Sequence, residues 1–133
     1  MDLNTYQSAL VSLDRLADDD LFAMIGTDPQ FASGIDGDHL FVRLNFDRTR
    51  ESINEGRKRL AEHFEHIRND VCATWVTMKS LTRVYERAEI LATVCEIIMK
   101  LRELDPFFPV VPAGILICRG CGYSLNALCG TEA

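Results

Sequence analysis

The segment from Leu81 to Leu104 carries two apolar stripes at helical spacing instead of one. Leu81, Val84, Ala88, Leu91, Cys95 and Ile98 follow at steps of three and four, and Ile90, Val94, Ile97, Leu101 and Leu104 run beside them. A helix that is apolar around so much of its circumference must be covered on several sides. The segment therefore belongs at the centre of a helical bundle. Asp105-Pro106 ends it, because proline disfavours helical geometry in the residue before it and has no N–H for the next backbone bond.

Other helices are legible around this one. Leu3, Tyr6, Leu10, Leu13 and Leu16 form a first amphipathic stripe. Asp18-Asp19-Asp20 supplies negative charge where a second, short helix begins, and Gly26 is a natural stop. Thr49 to Val71 is a polar-faced helix with Ile53, Leu60, Phe64, Ile67 and Val71 on its stripe. In it Gly56 costs about 1 kcal/mol of helix propensity but leaves room for a close neighbour. Between Thr27 and Arg48 the helical period disappears into turn-forming clusters. There Leu40, Val42, Leu44 and Phe46 alternate as in a strand; a loop laid over the core is the preferred reading, and a real strand would need a partner such as Thr74 to Met78 or another copy of the chain. Cys72 to Lys79 reads as irregular. The expected fold is all-α: one domain spanning 1–133, a compact bundle of four or five helices with an irregular segment near 27–48 and an apolar C-terminal helix.

At 133 residues the chain has the length of one domain, and folding at that size buries roughly two thirds of the unfolded surface. The net charge of -6 disfavours a nucleic-acid partner, since binding to phosphate is driven by counterion release onto a cationic surface. The acidic N-terminal residues do not resemble a secretory signal, and five cysteines without a regular framework agree with free thiols in a reducing compartment. A cytoplasmic location is the expectation. The longest membrane candidate, Phe107 to Cys118, is stopped by Arg119, whose insertion would cost about 3 kcal/mol.

The stretch ICRGCGYSLNALCG, residues 117–130, holds three cysteines. Its Cys-x-x-Cys-Gly-Tyr order, Cys118 to Tyr123, resembles one knuckle of a zinc ribbon. The resemblance implies thiolates of Cys118 and Cys121 on a zinc ion, with Cys129, Cys72, Cys95 or a histidine needed to complete four ligands. A redox role would require a stabilised thiolate at Cys118 or Cys121. The preferred reading is a buried helix, because Val111, Ile115, Cys118, Gly122, Leu125 and Cys129 fall on one apolar stripe that a metal turn would interrupt. Gly114, Cys118 and Gly122, small residues four apart, would let another helix approach closely.

His63, His66 and Asp70 share one helix region without forming a metalloprotease or di-iron motif. Arg43, Arg48, Arg50, Arg57, Lys58 and Arg59 make the one locally basic region, able to dock an acidic surface such as the Asp18 to Asp20 end of another copy. No nucleophile elbow or phosphate-cradling glycine loop is recognisable, which weighs against catalysis.

The expected function is a non-catalytic helical interaction module, a small cytoplasmic adaptor or subunit that self-associates or binds a protein partner without a cofactor. Its candidate contact residues are Arg43, Arg57, Lys58, Arg59, Val111, Ile115, Gly122 and Leu125. The alternatives are a zinc or thiol-redox protein using Cys118, Cys121 and Cys129, and a membrane-active effector acting through its C-terminal helix.

Overall fold

A computed structural model describes residues 3–13, 15–26, 48–78, 85–100, 103 and 108–130. Those residues form six helices: α1 (Leu3–Leu13), α2 (Asp18–Gly26), α3 (Arg50–Met78), α4 (Arg87–Lys100), α5 (Val110–Gly120) and α6 (Leu125–Cys129). The chain is an all-α bundle, with no strand among the described residues. The alternating segment 40–46 and Arg43 lie outside the described residues.

Local chemistry explains where the helices start. Asp20, at the third position of α2, reaches back to accept the Ala17 backbone N–H at 3.2 Å. At α3 the exchange is reciprocal, for Thr49 Oγ1 accepts the Ser52 N–H and Ser52 Oγ accepts the Thr49 N–H, both at 3.0 Å. Pro112 sits in the first turn of α5, where its missing N–H costs no helical bond.

α3 continues seven residues beyond the expected end at Val71. Cys72 to Met78 is helical, correcting both the irregular reading of this stretch and its role as a strand partner. Trp75 extends the Ile67 and Val71 stripe by one more turn into the core, and that burial outweighs the weak helix propensity of Thr74, Val76 and Thr77.

The two stripes of α4 are both covered: Leu91, Val94, Cys95 and Ile98 are wholly enclosed, and Ile90 and Ile97 nearly so. α1, α3 and α5 supply that cover. The most enclosed element is nevertheless α5, in which every residue from Val110 to Cys118 is buried. α2 packs along α3 and also touches α5, and α6 lies on α3.

The expected C-terminal helix is broken. Tyr123 N–H donates to the Cys118 carbonyl at 2.7 Å and Gly122 N–H to the Arg119 carbonyl at 3.1 Å. With Gly122 at φ 62°, this is the closing motif in which a left-handed glycine terminates a helix. Ser124 then starts α6, its side chain accepting the Ala127 N–H. Val111, Ile115, Cys118 and Leu125 are all buried as the stripe implies, but they belong to two helices joined by a turn, and Gly122 is exposed in that turn.

Candidate functional site

The acidic start of α2 is held by three arginines of the same chain. Arg48 pairs with Asp20 at 3.1 Å, Arg57 with Asp19 at 2.9 Å and Arg119 with Asp18 at 3.0 Å. Two members of the basic region, Arg48 and Arg57, thus meet the acidic start of α2 within one copy. Arg119 does more than balance charge: it donates to the Leu16 carbonyl at 2.9 Å and to the Leu13 carbonyl at 3.3 Å, satisfying acceptors at the end of α1. Arg59 likewise donates to the Ile25 carbonyl near the end of α2 and lies 5.5 Å from the Phe108 ring centroid. Lys58 is exposed.

Between α2, α3, α5 and α6 lies a cleft of about 600 Å³. Leu60 and Phe64 from α3 and Leu116 and Ile117 from α5 line it, Phe22 and Leu128 contribute from α2 and α6, and Arg57, Arg68 and Arg119 place three guanidinium groups around it. Phe22, Phe64 and Leu128 are packed on the core yet only partly buried. Arg57 lies 4.5 Å from the Phe22 ring centroid, and Arg68 Nε donates to the Leu128 carbonyl at 3.0 Å. Asp18, Gly120, Cys121 and Ala127 complete the wall.

Of the expected contact residues, Arg57 reaches this cleft, whereas Val111, Ile115 and Leu125 are spent inside the core. Sequence reasoning missed Phe22, Arg68, Arg119 and Leu128. Arg68 had a signal: it stands four residues after Phe64, a cation in register with an apolar stripe. Arg119 had none, because its partners lie more than a hundred residues away.

The cysteines divide into two groups. Cys72 of α3 and Cys129 of α6 form a disulfide across a sequence separation of 57, so these two are not the free thiols the composition suggested. Cys129 therefore offers no thiolate to the set Cys118, Cys121, Cys129, and no group of three metal-ligating side chains gathers among the described residues. Cys95, Cys118 and Cys121 are free. Burial pushes the Cys95 thiol up, and the neighbouring Cys118 and Glu96 add to it. Burial also raises Cys118 well above the ordinary thiol range, with Cys121 adding and Arg87 opposing. Enclosure thus favours the protonated thiol at Cys95 and Cys118, which makes both weak nucleophiles.

His66 meets Asp70 at 3.4 Å on the surface of α3, and His63 packs edge-on against Phe108 with ring centroids 5.4 Å apart. On the far side of Arg119, the Arg87 guanidinium lies 4.2 Å from the Tyr123 ring centroid. Burial raises the Tyr123 phenol, Cys118 adds to the shift, and Arg87 opposes it. Among the described residues no helix is long and apolar enough to cross a membrane.

The chain matches no protein-family model, no curated protein and no solved structure.

Proposed function

We propose that this chain is a non-catalytic helical interaction module, a small adaptor or subunit that docks a protein partner. The observation that carries the reading is the cleft itself. It leaves Phe22, Phe64 and Leu128 partly uncovered between three arginines. Aromatic and aliphatic surface framed by arginine is the composition of protein contact sites, where arginine and aromatic residues are enriched. The exposed large apolar side chains among the described residues, Val11, Val76 and Met99, sit on three separate helices, none of them in the cleft.

A native mass spectrum of the protein isolated from its source tests this. A complex of stoichiometric composition is expected, with a second copy of the chain as one outcome of the measurement. A monomer that carries no partner at working concentration counts against the reading. The same spectrum reports metal content.

The Cys72–Cys129 disulfide favours a second reading, a thiol-redox protein in which opening of that bond frees α6. Zinc binding by Cys118, Cys121 and Cys129 would require the same opening. A cytoplasmic setting remains part of the proposal; alkylation of freshly isolated protein tests it, because a bond retained in every molecule would point to an oxidising compartment and a pair found reduced to a reducing one.

A further inference from the structure

The cleft is elongated along α3. Arg57, Leu60, Phe64 and Arg68 follow at steps of three, four and four, so all four line one face of the helix. Arg57 and Arg68 are eleven residues apart, about 16 Å along the helix axis, with apolar surface between them. Arg119 faces them from α5.

Each of these cations is matched by a carboxylate that stands in solvent. Asp19 on Arg57 is 47% exposed, Asp18 on Arg119 is 60% exposed, and Glu65, 3.7 Å from Arg68, is 74% exposed. Pairs of this kind are weak and screened, so a better-placed carboxylate can replace them.

We propose that the cleft takes an acidic, apolar segment of a partner protein, whose carboxylates displace Asp19 from Arg57 and Glu65 from Arg68 at its two ends, and Asp18 from Arg119 between facing helices, while its apolar side chains cover Phe22, Phe64 and Leu128. This rests on the interaction-module reading and names the partner's chemistry. Asp18 and Asp19 are internal stand-ins for that ligand. A basic segment could pair with Asp18, Asp19 and Glu65 only by leaving three guanidinium groups beside it without their carboxylates. A simple acyl carboxylate satisfies one cation and leaves the other end of the cleft unmatched. Carboxylates about 16 Å apart correspond to about five residues of extended chain or three turns of helix.

The test is a display library of random peptides of about twelve residues, long enough to span the cleft in either conformation, selected against the full chain. Enriched sequences are expected to carry Asp or Glu on both sides of large apolar residues. In titrations of a selected peptide, Arg57→Gln and Arg68→Gln are each expected to weaken binding about tenfold. Asp19→Asn is expected to strengthen it several-fold by removing the internal competitor, an effect a merely structural role for Asp19 would not produce. Circular dichroism melts confirm that each variant folds. Enrichment of peptides without acidic residues, no enrichment at all, weaker binding by Asp19→Asn, or saturable binding of decanoate where peptides fail would each overturn the proposal. If the native spectrum shows a partner that Arg57→Gln and Arg68→Gln retain unchanged, the partner's chemistry is wrong while the module reading stands; a bare monomer in that spectrum removes the reading itself.

Discussion

Gly26 of α2 and Gly56 of α3 lie against one another's helix with no space for a side chain on either. A Cβ on Gly26 would run into the Ser52 carbonyl and the Gly56 nitrogen, and a Cβ on Gly56 into the Phe22 carbonyl. These obstacles are backbone, which cannot swing aside as a flexible side chain would. Helix propensity alone predicts that Gly56→Ala stabilises by about 1 kcal/mol. The crossing predicts the opposite sign: overpacking against backbone costs about 1 to 3 kcal/mol and exceeds the propensity gain. Urea unfolding of Gly26→Ala and Gly56→Ala checks this, and a higher midpoint for either variant would contradict the close crossing.

How much was legible follows from the same pair. The spacing of Leu60, Ile67 and Val71 marks the buried face of α3, and Gly56 marks room for a neighbour. The neighbour's identity was not readable, because two glycines thirty residues apart carry no mutual signal in one sequence. Phe64 kept the period but only half the burial, since it faces the cleft. Periodicity reports which face is apolar; it cannot report that a neighbouring helix stops short of covering it.

The Cys72–Cys129 bond ties the last helix to the end of the longest one. In the chain-entropy model, closing a loop of 57 residues stabilises the folded state by about 4 kcal/mol. Around the bond, Trp75 Nε1 donates to Asn126 Oδ1 at 2.7 Å and Arg68 to the Leu128 carbonyl. Cys72→Ser with Cys129→Ser is expected to lower stability by about 3 to 4 kcal/mol. The emission of Trp75, the sole tryptophan, should move to the red as α6 loosens. Adding reductant to the wild type should reproduce both changes and leave the double variant unaffected. A wild type indifferent to reductant would show that the bond contributes nothing to the fold.

Gly120 and Gly122 make a paired test of the turn between α5 and α6. Gly120 is the last residue of α5 and its Cβ would meet nothing, so Gly120→Ala is expected to stabilise by up to about 1 kcal/mol. Gly122 also has open space around it but adopts φ 62°, so Gly122→Ala is expected to destabilise by about 1 kcal/mol through backbone strain alone. A helix continuous from Val111 to Cys129 would instead gain from both substitutions, as the unbroken stripe had implied. That stripe misled for a definable reason: Cys118 and Leu125 are two turns apart on any helix, and a four-residue turn returned Leu125 to the same core. The sequence did hold the competing signal, a glycine followed two residues later by a capping serine.

The buried thiols make stability fall on the alkaline side. Cys95 and Cys118 both have thiols raised above the ordinary value of 9.0 when folded, chiefly by burial. Below that value both states hold the proton and stability does not depend on these groups. Above it the unfolded chain loses protons that the folded chain keeps, so the unfolded state binds fewer protons and stability falls as pH rises. Tyr123, raised from 10.0, adds a fall of the same sign at higher pH. Urea midpoints measured from pH 7 upward are expected to be flat in these groups and then to decline from about pH 9. Cys95→Ala with Cys118→Ala should flatten the first part of that decline, even though removing two packed sulfurs lowers the midpoint at neutral pH. Native alkylation supplies an independent check, because enclosure also blocks the reagent. Iodoacetamide should modify the partly exposed Cys121 first and reach Cys95 and Cys118 only after unfolding. Prompt modification of Cys118 in the folded protein, or a double variant with an unchanged alkaline slope, would remove these thiols as the cause.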